Sequence, residues 1–443
     1  MKKHSKLLTI AMLALTASTS VACSPFLFIG DGGVVPFRDT KNCIFFALYN
    51  YYGIEGQHFT NKWMGMNDAL ADHGVIVTGW EAEKDAKQFK ISYLPDAEVP
   101  EDKRLPADKK IVMVNNQTWD IGLQYNKPMA RHKPMAIIST CNGVEFAANP
   151  IKASGIGTQN ATIGSFSDNY RAAMEDGSLS YLVSKYIAHV APIFAACVDA
   201  VDNGKALKTK DNGALQLSVQ NWHVKSLEEY DTMNAVDQFE FNEEKGTHPT
   251  ILKQNLDPFF TKGDSKYGAE SLTEFVADSS FETISTLYHS NDGVESTKRT
   301  GKKIKAGLLV PGSVNDTVQG YIDYMTGYLA DAYNVEFLPN EAISSTNTQV
   351  QACDSLINKG AEFVISLQDD LDRNASIKNA NDKGVFYGIA GTCQNPQDYA
   401  DTKDYPYYVG SIGTSIEEER KSAKIMTEYY LDAMIKRGVV EEK

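Results

Sequence analysis

Between Ile304 and Ser415, apolar runs and amphipathic runs alternate four times, and this alternation restricts the fold more than any other feature of the chain. The first apolar run, Lys305 to Val310, leads into Asn315-Asp316-Thr317 and a helical run from Val318 to Tyr333. A short strand at Val335–Leu338 precedes a helix from Thr348 to Lys359 that stops at Gly360. A third strand at Ala361–Leu367 precedes a helix ending at Lys383-Gly384, and a fourth follows at Val385–Ala390. The last strand ends at Thr414 and is followed by a charged helix to Lys436. The apolar runs are near-continuous, as in strands buried on both faces. Alternating with helices, they predict an α/β fold with a parallel sheet covered on both sides.

Polar residues gather where each strand hands over to its helix. Asn315, Gln368, Asp369, Gln394 and Ser411 all fall there. In an open parallel sheet, ligands bind beyond the carboxyl ends of the strands. These side chains are hydrogen-bonding groups, not a nucleophile with a base, so they suit holding a polar ligand. Asn, Asp and Ser also cap helices, and capping is the competing role for each of them.

In the pieces Lys305–Pro311, Gln349–Gly360, Ala361–Asp369 and Tyr408-Val409-Gly410-Ser411, the chain resembles the first lobe of the type I periplasmic binding proteins. That sugar-binding family also supplied the ligand domain of lactose-repressor-type regulators. The resemblance implies a two-lobed α/β fold, each lobe a parallel sheet with helices on both faces. It implies a small polar ligand, a sugar first, held in the interlobe cleft, and an ABC permease that receives it.

The first half carries a similar but weaker pattern. A helix from His58 to His73 stops at Gly74 before Val75-Ile76-Val77, which resembles the opening of the family's second lobe. Residues 84–108 read as a solvated excursion. Further strands are expected at Lys110–Asn115, Met135–Ser139 and Ala153–Asn160. A long helix, Leu182–Val201, contains Pro192, which would kink it. Leu215–Val224 is expected as one returning strand, with a helix beginning at Ser226. By the same strand-end logic this lobe contributes Asn142, Gln159 and Asn160, with Trp119 or Trp80 as a ring that stacks on a sugar face. Ile138–Cys141 with Ser154–Thr158 echoes Ala390–Cys393 with Gly410–Thr414, as two lobes built alike would.

The order of the lobes is inverted relative to the family. One account is a circular permutant: a second-lobe-like region at 23–205, a returning crossover segment at 206–245, a linker at 246–303 and a first-lobe-like region at 304–443. The other is a truncated tandem, with a whole divergent module at 26–290 and half of a second after it. Permutation leaves every strand with a partner and closes one cleft.

Lys2, Lys3 and Lys6 precede an apolar run from Leu7 to Leu15 and a small-residue stretch ending Ser20-Val21-Ala22-Cys23. Residues 1–22 therefore read as an export signal. Ser20 and Ala22 satisfy an ordinary cleavage site. Cys23 resembles a lipoprotein site, where two acyl chains would anchor the mature chain at the outer face of the cell membrane or in the periplasm. No other apolar stretch approaches the ~20 residues that a membrane span needs.

The net charge is −14, and becomes −17 when the three lysines of residues 1–22 are removed. No basic aromatic patch accompanies it, which argues against a nucleic-acid partner. Without Cys23, five cysteines remain, an odd number with neither disulfide nor zinc spacing, so no metal is expected. No phosphate loop, zinc-protease motif or nucleophile elbow occurs, so neither a cofactor nor catalysis is expected. The alternative to a transport receptor is a sensory or surface-interaction lipoprotein of the same fold.

Overall fold

The structure is a computed structural model and describes residues 43–49, 55–78, 90–106, 110–116, 134–141, 143–155, 157–312, 314–343, 348–367 and 373–440. In chain order, β1 spans Cys43–Tyr49, α1 Glu55–Asp72, β2 Val75–Thr78, β3 Lys90–Tyr93, β4 Lys110–Asn116 and β5 Ala136–Ser139. Next come α2 Gly143–Ser154, β6 Gln159–Ile163, α3 Asp168–Glu175, β7 Tyr181–Ser184 and α4 Ala191–Asn203. The middle of the chain supplies β8 Leu215–Ser218, β9 Trp222–Val224, α5 Leu227–Val236, α6 Lys253–Phe260, α7 Ala269–Ala277 and α8 Phe281–Ser290. The last third is β10 Ile304–Val310, α9 Asp316–Tyr324, β11 Val335–Phe337, β12 Glu341–Ala342, α10 Gln349–Asn358 and β13 Phe363–Ser366. It closes with α11 Arg373–Asp382, β14 Phe386–Thr392, α12 Pro396–Thr402, β15 Tyr408–Thr414 and α13 Ile416–Val440.

Two sheets result. The first runs β4-β1-β5-β6-β7-β9, parallel except for β9, which pairs antiparallel to β7. The second runs β11-β10-β13-β14-β15-β8 and is parallel throughout, with β12 beside β10. Each sheet has helices on both faces, so the expected α/β, two-lobed class is what the structure has. On the first, Ile44, Phe46, Ala136 and Ile138 meet Met66 of α1 and Met426 of α13, while Leu182 and Val224 meet α3 and α5 on the other side. On the second, Leu308, Ile365 and Ile412 pack on Ile193 and Phe194 of α4, and Leu309, Val364 and Ile389 pack on α10 and α11.

Local sequence sets the ends of these elements. Thr348 and Gln351 form a reciprocal capping box on α10, at 3.3 and 3.0 Å. Thr348→Ala should cost about 1 kcal/mol in urea denaturation, and an unchanged midpoint would mean that the box does not hold the helix start.

The chain crosses between the lobes four times, the third time from β9 through α5 to α8 into β10. After β7 it passes through a short turn, Ile187–Val190, to α4, which packs on β14 and β15 of the other lobe. Between β8 and β9 it returns, and after β15 helix α13 comes back onto α1. Asp237 buttresses the first crossing by accepting the Ile187 N–H at 2.6 Å. Burial pushes its carboxyl up to about 7. A raised acid contributes stability in full below its unfolded value, and loses it as pH rises through the folded one. Wild-type stability should therefore fall from about pH 4 to about 7 through this group. Asp237→Asn should flatten that fall in a series of melting temperatures against pH, and a superimposable series would contradict it.

Several expectations need correction. Residues 153–160 are not a strand. Helix α2 occupies 143–154, Gly155 and Gly157 break it with φ of +62° and +69°, and the strand starts only at Gln159. The long helix expected from Leu182 is a strand, a crossing and then a helix. Pro192 sits in the first turn of α4, where a missing N–H costs nothing, so it starts the helix instead of kinking it. Leu215–Val224 is two strands in different sheets. Val75–Thr78 stays out of the main sheet and pairs antiparallel with β3, which itself lies in the stretch expected to be solvated. The expected linker at 246–303 holds α6, α7 and α8, whose Leu256, Leu272 and Ile284 enter the main core. Each of these helices is 8–10 residues long, too short to register as an apolar run. The internal echo is coincidental. β5 is third in its lobe's strand order while β14 is fourth, and Gly155, Gly157 and Thr158 lie outside any strand.

Candidate functional site

The carboxyl ends of both sheets face one cleft of about 430 Å³. From the first lobe it is lined by Cys141, the β6 end Ile163-Gly164-Ser165, Asn169 and Tyr170 of α3, and Ser184-Lys185 after β7. The other lobe contributes Asn315 to Val318 and Tyr321 from α9, Leu367 after β13, Ala390-Gly391-Thr392 of β14, and Thr414 of β15. Lys62 of α1 and Glu419 of α13 also reach it.

Tyr170 is placed by the glycine before it. A Cβ on Gly164 would lie 2.2 Å from the Tyr170 ring, so only glycine lets the ring settle against the strand end. The Tyr170 hydroxyl donates to Glu145 at 3.1 Å. Burial and then the Glu145 charge push it well above its ordinary value, so it stays a donor. Across the cleft, Tyr321 lies against Gly391, with His189 edge-on at 5.2 Å between ring centroids. Burial pulls His189 down to about 3, so it is neutral.

Ionic groups meet at the junction of the crossings. Lys185 donates to the Gly391 carbonyl at 2.6 Å and to Thr414 Oγ1 at 3.4 Å, joining the first lobe's crossing to the ends of β14 and β15. Burial lowers its ammonium to about 8, and the Glu419 charge opposes that shift. Glu419, only 5% exposed, pairs with His58 Nδ1 at 2.8 Å and accepts Thr414 Oγ1–H at 3.2 Å. Lys62 Nζ stands 3.8 Å away. Burial alone would raise this carboxyl, but the His58, Lys62 and Lys185 charges hold it well below the usual carboxylate range.

The expected site residues separate into four groups. Asn315 lines the cleft, and its Oδ1 also caps α9 by accepting the Val318 N–H at 3.0 Å. Gln394, Ser411 and Asn160 are buried and hydrogen-bonded within the protein. The Gln394 carboxamide accepts from Tyr408 at 2.6 Å and donates to Thr402, and Ser411 Oγ accepts the Gln394 N–H. Asn160 donates to the Gly143 carbonyl. Gln159 opens β6, at the end away from the cleft, because the strand begins six residues later than Ala153. Gln368, Asp369, Asn142, Trp119, Trp80 and Cys23 lie outside the described residues.

Lys62, Tyr170, Lys185 and Glu419 were missed. Lys185 follows Tyr181–Ser184, and reading that run as a strand would have placed it at a carboxyl end. Lys62 and Glu419 look like ordinary charges on amphipathic helices; only the docking of α13 on α1 joins them. Burial pushes the thiols of two cysteines near the cleft, Cys141 and Cys393, each up to about 12. Among the described residues no group of His, Cys, Asp and Glu is placed to hold a metal, and no helix is long and apolar enough to cross a membrane.

No family model matches the chain, and no curated protein matches it in sequence. Among solved structures it is similar to a periplasmic solute-binding protein of an ABC transporter from Actinobacillus succinogenes with bound D-allose. That pair shares 9% identity over 89% of this chain and 92% of the other, at a TM-score of 0.42. A carbohydrate transporter solute-binding protein from Agrobacterium radiobacter in complex with D-arabinose has 8% identity over 89% and 90%, at 0.42. A LacI-type transcriptional regulator from Bacteroides fragilis has 8% identity over 90% and 92%, at 0.43. At such identities and TM-scores the fold rests on the chain's own strand order and register.

Proposed function

We propose that the protein is an extracytoplasmic receptor that closes two lobes on a small polar solute and delivers it to an ABC permease. The observation that carries this reading is the cleft, into which strand ends and helix starts of two separate sheets project hydrogen-bonding side chains. Four crossings join the lobes, which suits hinge closure around a ligand. In the same reading residues 1–22 direct export and are removed, and Cys23 carries the lipid anchor. The lobes are a circular permutation: β10 to β15 correspond to the family's first lobe and β1 to β7 to its second, while β8 and β9 return to each in turn.

The test is a thermal-shift screen of the purified protein against sugars, nucleosides and autoinducer-like compounds. A ligand that binds only the folded state should raise the melting temperature by several degrees, growing with ligand excess over the dissociation constant. A well-folded sample that no compound shifts would overturn the receptor reading in favour of a partner-binding surface protein.

A further inference from the structure

Three acceptors at the cleft are already engaged. Glu419 is taken by His58 and Thr414, Asn315 Oδ1 by the Val318 amide, and the Gly391 carbonyl by Lys185. The donors are not used up. Lys185 makes two hydrogen bonds of the three an ammonium can give. Lys62 is 9% exposed, and its Glu419 contact at 3.8 Å is an ion pair beyond hydrogen-bond length. An unmatched buried donor costs free energy, and the group that relieves several of them at once is an acceptor with no protons of its own. The carboxylates that remain, Glu145 and Asp316, are exposed at the rim.

We propose that the solute carries an oxyanion, a carboxylate or a group like it, seated against the ammoniums of Lys185 and Lys62. This rests on the receptor reading and names the class of ligand within it. Two cations and one buried carboxylate leave a net positive charge at the inner end of the cleft, which the anion balances. A neutral sugar carries no charge and would leave that of the site as it is. Glu419, Lys62, His189 and Cys393 are the titratable groups that face Lys185, and of these Glu419 is the one fixed negative charge.

The test is a pH titration of the lysine side chains by carbon-13 NMR, in chloride and in sulfate at equal ionic strength, with Lys185→Arg and Lys62→Gln assigning the two resonances. Lys185 is expected to titrate near 8 in chloride and about one unit higher in sulfate, the direction an opposite charge at contact distance imposes. Identical titrations of both lysines in the two salts would overturn the proposal. A second arm compares D-glucuronate with D-glucose and D-galacturonate with D-galactose by thermal shift. The acids should stabilise more than their parents. Stabilisation by neutral sugars alone overturns the anion while leaving the receptor standing. A sulfate response at Lys185 with no solute shifting the melting temperature keeps the anion site and overturns the receptor.

Discussion

Gly65→Ala should destabilise the protein by about 2 kcal/mol and loosen the C-terminal helix from the first lobe. Gly65 lies within α1, where α13 crosses it. A Cβ there would stand 2.0 Å from the Arg420 carbonyl oxygen and 2.8 Å from its carbon. Both are backbone atoms, so no rotamer change makes room. The two helices cannot slide apart cheaply either. Arg420 holds Asp68 through two hydrogen bonds of 2.5 and 2.8 Å, and Lys424 holds Asp72 at 2.7 Å one turn on. Overpacking typically costs ~1–3 kcal/mol, and the gain in helix propensity from glycine to alanine returns up to ~1. Urea denaturation reads the difference. A stabilised variant would show that propensity alone operates, and that α13 does not lie on α1.

Glu419→Gln carries the other large effect, a loss of about 3 kcal/mol at neutral pH, because it leaves Lys62 and Lys185 without their negative partner in a buried place. The pH dependence gives a second check. The folded Glu419 carboxyl is lowered from 4.5 to about 2. A depressed acid contributes stability in full above its unfolded value and loses it as pH falls through the folded one. The gap between wild type and Glu419→Gln should therefore be full above about pH 5 and narrow progressively towards pH 2. A gap that stays constant over that interval would show that the carboxylate's charge is not what matters.

The second lobe was legible because its strands are long apolar runs separated by capped helices. Its longer strands and helices were placed to within a few residues, while the wide turn Met325–Leu329 inside the expected Val318–Tyr333 helix, the short strand β12 and helix α12 were unforeseen. The first lobe was harder for identifiable reasons. Tyr181–Ser184 is four residues long and continues into the apolar α4 through Ile187–Val190, so strand and helix merged into one apolar stretch. β8 and β9 are separated by three residues and belong to different sheets, which no local pattern reveals. The cleft was half legible. Strand-end logic found Asn315, but it could not tell a side chain that faces the cleft from one that turns inward, as Gln394 and Ser411 do. Lys62 and Glu419 sit 357 residues apart in number and meet only because α13 folds back on α1.

The most direct test of the interlobe site is hydrogen–deuterium exchange with and without the solute that gives the largest thermal shift. The prediction is slowed exchange in two sets of segments at once: 163–170 with 184–190 in one lobe, and 315–321 with 390–394 in the other. Protection confined to one lobe, or centred on the separate surface hollow at Phe241 and Tyr328, would contradict a ligand held between the lobes.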